Sequence, residues 1–291
     1  MSKALRAILE LEEIEVNLFR GKNPNPSLQW VFGGQLIAQS LMAASRTVGL
    51  RMAHSLHAYF IRPGDPKVPI IYKTEDLRDG KSYSIRRVTA IQHGMPIFSV
   101  MFSFHAEEQS AFDHQAIMAN VPPPEELTDE KTLSKRSMLA GLSKRTRRRY
   151  GPNRPIQMPS PQIELRAAEI GRNVGQKTGD GRVHLWIRIT EDLPDDPALQ
   201  MCALAYASDW SLLDAIMARY GRTLLDGRML AASLDHAMWF HRPFRVDDWL
   251  LYAQESPSAQ GGRGLARGMI FTRDGTLVAS VAQEGLVRER R

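Results

Sequence analysis

One passage of this chain is written twice. "HSLHAYFIRPGD" (54–65) and "ASLDHAMWFHRPF" (232–244) share Ser-Leu, a histidine, aromatic residues and a closing Arg-Pro, with Arg62 and Arg242 180 residues apart. The downstream order repeats too. "DGKSYSIRRVTAIQHGMPIFSVMFSF" (79–104) and "GGRGLARGMIFTRDGTLVASVAQEGL" (261–286) each read as strand, turn, strand. Arg86 and Arg267 are 181 apart, as are Gly94 and Gly275. His93-Gly94 marks one turn, and Asp274-Gly275, between alternating runs, is a strong hairpin signal. Matching order at a nearly constant offset means a duplicated unit.

Each half also carries a helix ahead of its Arg-Pro strand. The first starts at Gly33-Gly34 and places Ile37, Leu41, Ala44 and Val48 at helical spacing. The second, "PALQMCALAYASDWSLLDAIMARYG" (197–221), runs to a closing Gly without a breaker and is apolar almost all round, which predicts burial on most sides. "GRVHLWIRI" (181–189) alternates as a half-buried strand. Leu5, Ile8, Leu11 and Ile14 predict a short amphipathic helix that leads into a strand. A helix followed by several antiparallel strands is an α+β pattern. A sheet with one apolar face is satisfied by curling around that helix, which is the hotdog architecture. The expected organisation is a first hotdog unit over 1–110, a basic, Pro-rich, partly disordered connector over 111–178, and a second hotdog unit over 179–291.

Composition narrows the partners. No apolar run approaches the roughly 20 residues that cross a bilayer, and the N-terminus lacks a signal-peptide apolar core. The one cysteine, Cys202, sits in an apolar stretch and reads as a core thiol; it excludes an internal disulfide and fits a reducing cytoplasm. The net charge of +6 is largely local: "KRTRRR" (144–149) follows Lys131, Lys135 and Arg136. No aromatic interleaving or recognised nucleic-acid motif accompanies that block, so nucleic acid is not the expected partner; a phosphate-bearing small molecule fits it at least as well.

The nucleophile elbow, the P-loop, the helical zinc motif and other zinc spacings are all missing, and no activated nucleophile is evident. Asp209 stands out, because its helical neighbours Ala205, Tyr206, Leu212 and Leu213 place a carboxylate on a face that should be buried. Such a group must be hydrogen-bonded, shifted in pKa or catalytic. An Asp capping a kink or pairing with an Arg satisfies the pattern equally. Gln283 closes the apolar face Leu277, Ala279, Val281, where a satisfied edge amide is the commoner reading. Ser233 opens the second Arg-Pro strand. His236 and His241 on that strand read as packed rings.

Taken in order, "VFGGQLIAQSLMAA" (31–44), "HSLHAYFIRPGDPKVPIIY" (54–72), "LRDGKSYSIRRVTAIQHGMPIF" (77–98), "LAYASDWSLL" (204–213), "SLDHAMWFHRPF" (233–244) and "VASVAQEGLVR" (278–288) resemble the acyl-CoA thioesterase II family of double-hotdog enzymes. The resemblance spans nearly the whole chain. It implies hydrolysis of fatty acyl-CoA, with no metal or cofactor, through a water held by an Asp, a hydroxyl residue and a Gln. These carry onto Asp209, Ser233 and Gln283, with Ser standing where the family often has Thr. Gly33, Gly34, Gln35 and His57 are the substrate-binding candidates of the first half, the helix start at Gly33-Gly34 being the candidate oxyanion site. That half lacks a matching acid and is expected to shape the acyl tunnel. A hotdog enoyl-CoA hydratase, with Asp235-His236 misread as its acid/base pair, and a non-catalytic acyl-CoA sensor are the alternatives. Adjacent strand residues face opposite ways, which argues against the first. A homo-oligomer is expected, and "VRERR" is not a peroxisomal address, which favours the cytoplasm.

Overall fold

In a computed structural model, the chain is described over residues 5–26, 28–129, 162–169, 180–223 and 229–290; the basic block 144–149 with Lys131, Lys135 and Arg136 lies outside them. The first half runs α1 (Leu5–Leu9), β1 (Glu12–Glu15), β2 (Leu18–Gly21), α2 (Gly33–Ser45), β3 (Met52–Phe60), β4 (Ile70–Asp79), β5 (Tyr83–Gln92) and β6 (Met95–His105). The second runs β7 (Ile163–Ala167), β8 (Val183–Ile189), α3 (Pro197–Ser208), α4 (Leu212–Ala218), β9 (Met229–Ser233), β10 (Asp235–Phe240), β11 (Leu250–Gln260), β12 (Arg263–Thr272) and β13 (Leu277–Glu289).

Turn chemistry sets the strand register in both halves. His93 and Gly94 adopt φ of 50° and 72°, the paired positive values of a tight two-residue hairpin, between β5 and β6. Gly275, at φ 90°, turns β12 into β13. All thirteen described strands join one antiparallel sheet in the order β1-β2-β4-β5-β6-β3-β10-β13-β12-β11-β8-β7, with β9 pairing β13 off that path. The seam between the halves is β3 against β10, with Ala237 opposite His57 and Trp239 opposite Ser55.

Strand alternation turns Leu56, Ala58, Val88, Val100 and Phe102 inward in the first half and Met238, Ala266, Ile270, Ala279 and Val281 in the second, all buried in one core. Helix α2 packs on β3 to β6, α4 packs on β11 to β13, and α3 packs against α2. The duplication survives in side-chain detail. Tyr72 and Tyr252, 180 positions apart, are both fully buried; one donates to Gln39 Oε1 of α2 (2.6 Å), the other to the Ser208 carbonyl of α3 (3.1 Å).

Three sequence expectations are corrected. The N-terminal helix ends at Leu9; Ile14 lies in β1, 45% exposed, because Glu12 to Glu15 pair with β2 and Glu12 bonds Arg20 across the strands. The single helix expected over 197–221 is two. The Ser208 hydroxyl lies 2.9 Å from the Ala205 carbonyl, the Trp210 N–H turns back to Ala207, and α4 restarts after Ser211. Finally, both described ends of the connector belong structurally to the second half. β7 pairs β8, while Met118, Val121 and Leu127 pack on a cluster of Trp186, Trp249, Leu251, Phe271 and Leu277. Trp186 Nε1 donates to the Pro122 carbonyl, 2.9 Å away.

Candidate active site

The break between α3 and α4 is what presents Asp209. Helix α3 begins with Asp196 accepting the Ala198 and Leu199 N–H groups, with Pro197 in the first turn. It ends one residue before Asp209, so the carboxylate leaves the helix tip and does not project from its side. It reaches the start of α2, where the Gly34 N–H donates to it, a position in which the helix dipole favours an anion. The approach is close. A Cβ on Gly33 would lie 2.6 Å from Asp209 Oδ2, and one on Gly34 would lie 2.3 Å from the Tyr206 carbonyl. Only glycine lets the two helices meet this way.

Two further side chains converge on Asp209. Gln283, inward on β13, donates from Nε2 to Asp209 Oδ1 (3.0 Å) and to Ser233 Oγ (2.5 Å). Ser233, closing β9, donates its hydroxyl to Asp209 Oδ1 at 3.3 Å. The structure thus brings together all three catalytic candidates from the sequence. Gln283 is fully buried, not an edge amide. As a whole residue Asp209 is only partly covered, but its carboxyl group is deep enough for burial to dominate its titration. Burial raises its pKa to about 6, against the opposing pull of the hydrogen bonds from Gln283, Ser233 and Gly34. A carboxylate so placed is still ionised at neutral pH and more basic than an ordinary Asp.

The first-half candidates divide. Gly33 and Gly34 lie at the site, but the Gly34 N–H is occupied by the Asp209 carboxylate. Gln35 is buried elsewhere, its amide donating to Asn23 Oδ1 (2.8 Å), the Lys22 carbonyl and Gln39. His57 is exposed on the other face of the sheet, edge-on to Trp239 with ring centroids 5.3 Å apart. Neither joins Asp209.

The hydratase pair also separates. Asp235 accepts the Glu284 N–H at 2.6 Å, while His236 points inward, fully buried. His241 bonds Ser280 Oγ away from the site. Cys202 is buried, and burial pushes its thiol pKa well up, so no thiolate forms there. Among the described residues no group of three or more His, Cys, Asp and Glu could hold a metal, and no helix is long and apolar enough to cross a membrane. Sequence reasoning missed the environment of His236. Its ring joins Ser208 Oγ (3.0 Å) to Gln283 Oε1 (2.9 Å). Burial lowers its pKa to about 4, so it is neutral at working pH.

Helix α2 on the strands of the first half and α4 on those of the second, against one continuous antiparallel sheet, define a double-hotdog protein. A solved hot dog fold protein from Alicyclobacillus acidocaldarius superposes with TM-score 0.76 over 100% of both chains at 18% identity. Two family patterns then match in order: Acyl-CoA thioesterase N-terminal domain over residues 22–105 and Acyl-CoA thioesterase over 159–286. Acyl-CoA thioesterase 2 of Haemophilus influenzae is 38% identical over 97% of this chain and 96% of its own. The crystal structure of an acyl-CoA thioesterase II, TesB2, from Mycobacterium marinum is 40% identical, with TM-score 0.77 over 99% of both chains. The chain belongs to the acyl-CoA thioesterase II family.

Proposed function

We propose that Asp209 is the general base of a direct hydrolysis of fatty acyl-CoA, on a water oriented by Ser233 and Gln283. Acyl-CoA thioester hydrolysis is the activity of the family to which the chain belongs. The observation that carries the mechanism is the convergence of Ser233 and Gln283 on one oxygen of a carboxylate whose basicity burial has raised. Asp209 accepts a proton as the water oxygen attacks the thioester carbonyl. Collapse of the tetrahedral intermediate breaks the C–S bond, and the coenzyme A thiolate takes the proton back, giving a carboxylic acid and free thiol. No acyl-enzyme forms. The first-turn N–H of Gly33 has no intrahelical acceptor and is the donor assigned to the developing oxyanion. The rings of Phe32, Tyr206 and Trp210, in edge contact at 5.1 and 5.6 Å, with Phe60 beside Gly33, support an apolar acyl chain at this end of α2.

The single buried cysteine supports a reducing cytoplasm as the working compartment. Exposed Tyr59, Met101 and Trp239 on the outer face near the seam support a homo-oligomer. The test is thiol release from acyl-CoA of several chain lengths by wild type and Asp209→Asn. Turnover by the wild type that the folded variant lacks is the expected result. Full activity in the variant refutes the base, and binding without turnover by the wild type returns the sensor reading.

A further inference from the structure

The duplicated fold contains its own control for the site. At the 180-residue offset of Arg62 and Arg242, His236 corresponds to Leu56; at the 181-residue offset of Gly94 and Gly275, Gln283 corresponds to Phe102. Leu56 and Phe102 are direct partners across β3 and β6. His236 and Gln283 occupy the equivalent inward place across β10 and β13, where Ala237 opposes Ala282. All four side chains are buried, at 1% exposure or less. One half therefore fills this place with an apolar pair. The fold has no need of an imidazole and an amide here, and burying them costs free energy unless every polar atom is bonded.

Each of those atoms is bonded, and the bonding has a direction. Gln283 Nε2 donates to Asp209 and Ser233, so its Oε1 must accept, and the His236 Nδ1 that faces it at 2.9 Å carries the proton. Nε2 of the same neutral ring is then an acceptor, so the single proton of the Ser208 hydroxyl, which has the Ala205 carbonyl at 2.9 Å as its other acceptor, is drawn to the ring 3.0 Å away. A Gln amide has two orientations of the same shape. Flipped, it would present oxygen to the Asp209 carboxylate and NH₂ to the ring, exchanging attraction for repulsion. From this geometry we infer that His236, protonated on Nδ1 and accepting at Nε2 from Ser208, is a positioning residue that locks the Gln283 amide in the orientation that serves Asp209 and the water. The inference rests on the assignment of Asp209, Ser233 and Gln283 as the reacting group. The other ionisable groups nearby are Tyr252, whose hydroxyl donates to the Ser208 carbonyl, and Asp235 and Glu284 on the opposite face of the sheet.

The test compares His236→Leu, which copies the first half, with His236→Asn, which keeps an N–H donor near the Nδ1 position, and with Ser208→Ala and Asp209→Asn. His236→Leu is expected to fold, to hold KM near wild type, and to lose about a hundredfold in kcat through misorientation. The acid limb of its kcat/KM profile should also move to higher pH, because Asp209 loses a donor to its ionised form. His236→Asn should recover to within about tenfold of wild type, and Ser208→Ala should fall between the two. If kcat and acid limb are unchanged in His236→Leu while Asp209→Asn is inactive, the positioning role is refuted and the catalytic assignment stands. Should His236→Leu not fold, wild-type kcat and acid limb in Ser208→Ala refute it instead. Activity retained by Asp209→Asn refutes the catalytic assignment itself.

Discussion

Asp209→Asn is expected to do two opposite things: abolish turnover and stabilise the fold at neutral pH. Burial lifts the Asp209 carboxyl pKa to about 6, from about 3.9 in an unfolded chain. Between those values the folded protein holds a proton that the unfolded chain has lost. The stabilising contribution is therefore complete below about pH 3.9 and gone above about pH 6. At about 1.4 kcal/mol per pH unit it amounts to at most about 3 kcal/mol, less whatever the partly covered position of Asp209 screens. His236 runs the other way. Burial lowers it to about 4 from about 6.5. Its contribution is present above about pH 6.5 and is lost as pH falls towards about 4, again by about 3 kcal/mol. The two slopes oppose each other over nearly the same window, so in the wild type they nearly cancel. Asn at position 209 deletes only the falling one. Melting temperatures of both proteins from about pH 4 to about pH 8 read the difference. The stability gap should move in the variant's favour by up to about 3 kcal/mol as pH rises from about 4 to about 6, and stay level above that. Over the same range the wild-type kcat/KM should rise to a plateau through about pH 6. A stability gap that is constant across pH refutes the raised carboxyl pKa of Asp209.

The glycines make a second contrast. Gly33→Ala puts a Cβ against Asp209 Oδ2 and the Phe60 ring, so kcat should drop by about a hundredfold through displacement of the carboxylate. Gly34→Ala meets the Tyr206 backbone, cannot be relieved by a side-chain shift, and should also destabilise by about 2 kcal/mol in a melting assay. At Ser233, removal of the hydroxyl in Ser233→Ala should cost about a hundredfold in kcat. Ser233→Thr keeps the hydroxyl and restricts its rotamer by β-branching, so kcat should be held or raised.

Most of the fold could be read from local chemistry. The two hairpin turns, the inward alternation of the strands and the fixed offset between halves are properties of short segments, and they survive in the structure. Asp209 and Gln283 drew notice as a carboxylate and an amide on apolar faces, each with a purely structural reading open, whereas Ser233 and the grouping of the three came from the resemblance to the acyl-CoA thioesterase II family. The helix break at Asp209 was not, because Ser208, Trp210 and Ser211 are all tolerated inside helices, and the break depends on where α2 and β11 lie. The strand Ile163–Ala167 was hidden for a related reason: five residues beside a Pro-rich stretch carry too little periodicity to stand out. His236 is the instructive case. Its ring was read as merely packed, because a strand histidine alone carries no direction. The comparison with Leu56 at the matching position supplies one.

The β3–β10 seam also has a consequence for how the site can diversify. Two identical subunits meeting at such a seam would carry every substitution twice, and each would need the other in solution. Here the partner is tethered, at an effective concentration on the order of millimolar whatever the bulk concentration. Dilution therefore does not separate Gly34 of one half from Asp209 of the other. The tether also frees each half from copying its twin: one fills the place with the apolar pair Leu56 and Phe102, the other with the hydrogen-bonded pair His236 and Gln283. A substitution that suits one role need not be tolerated in the other.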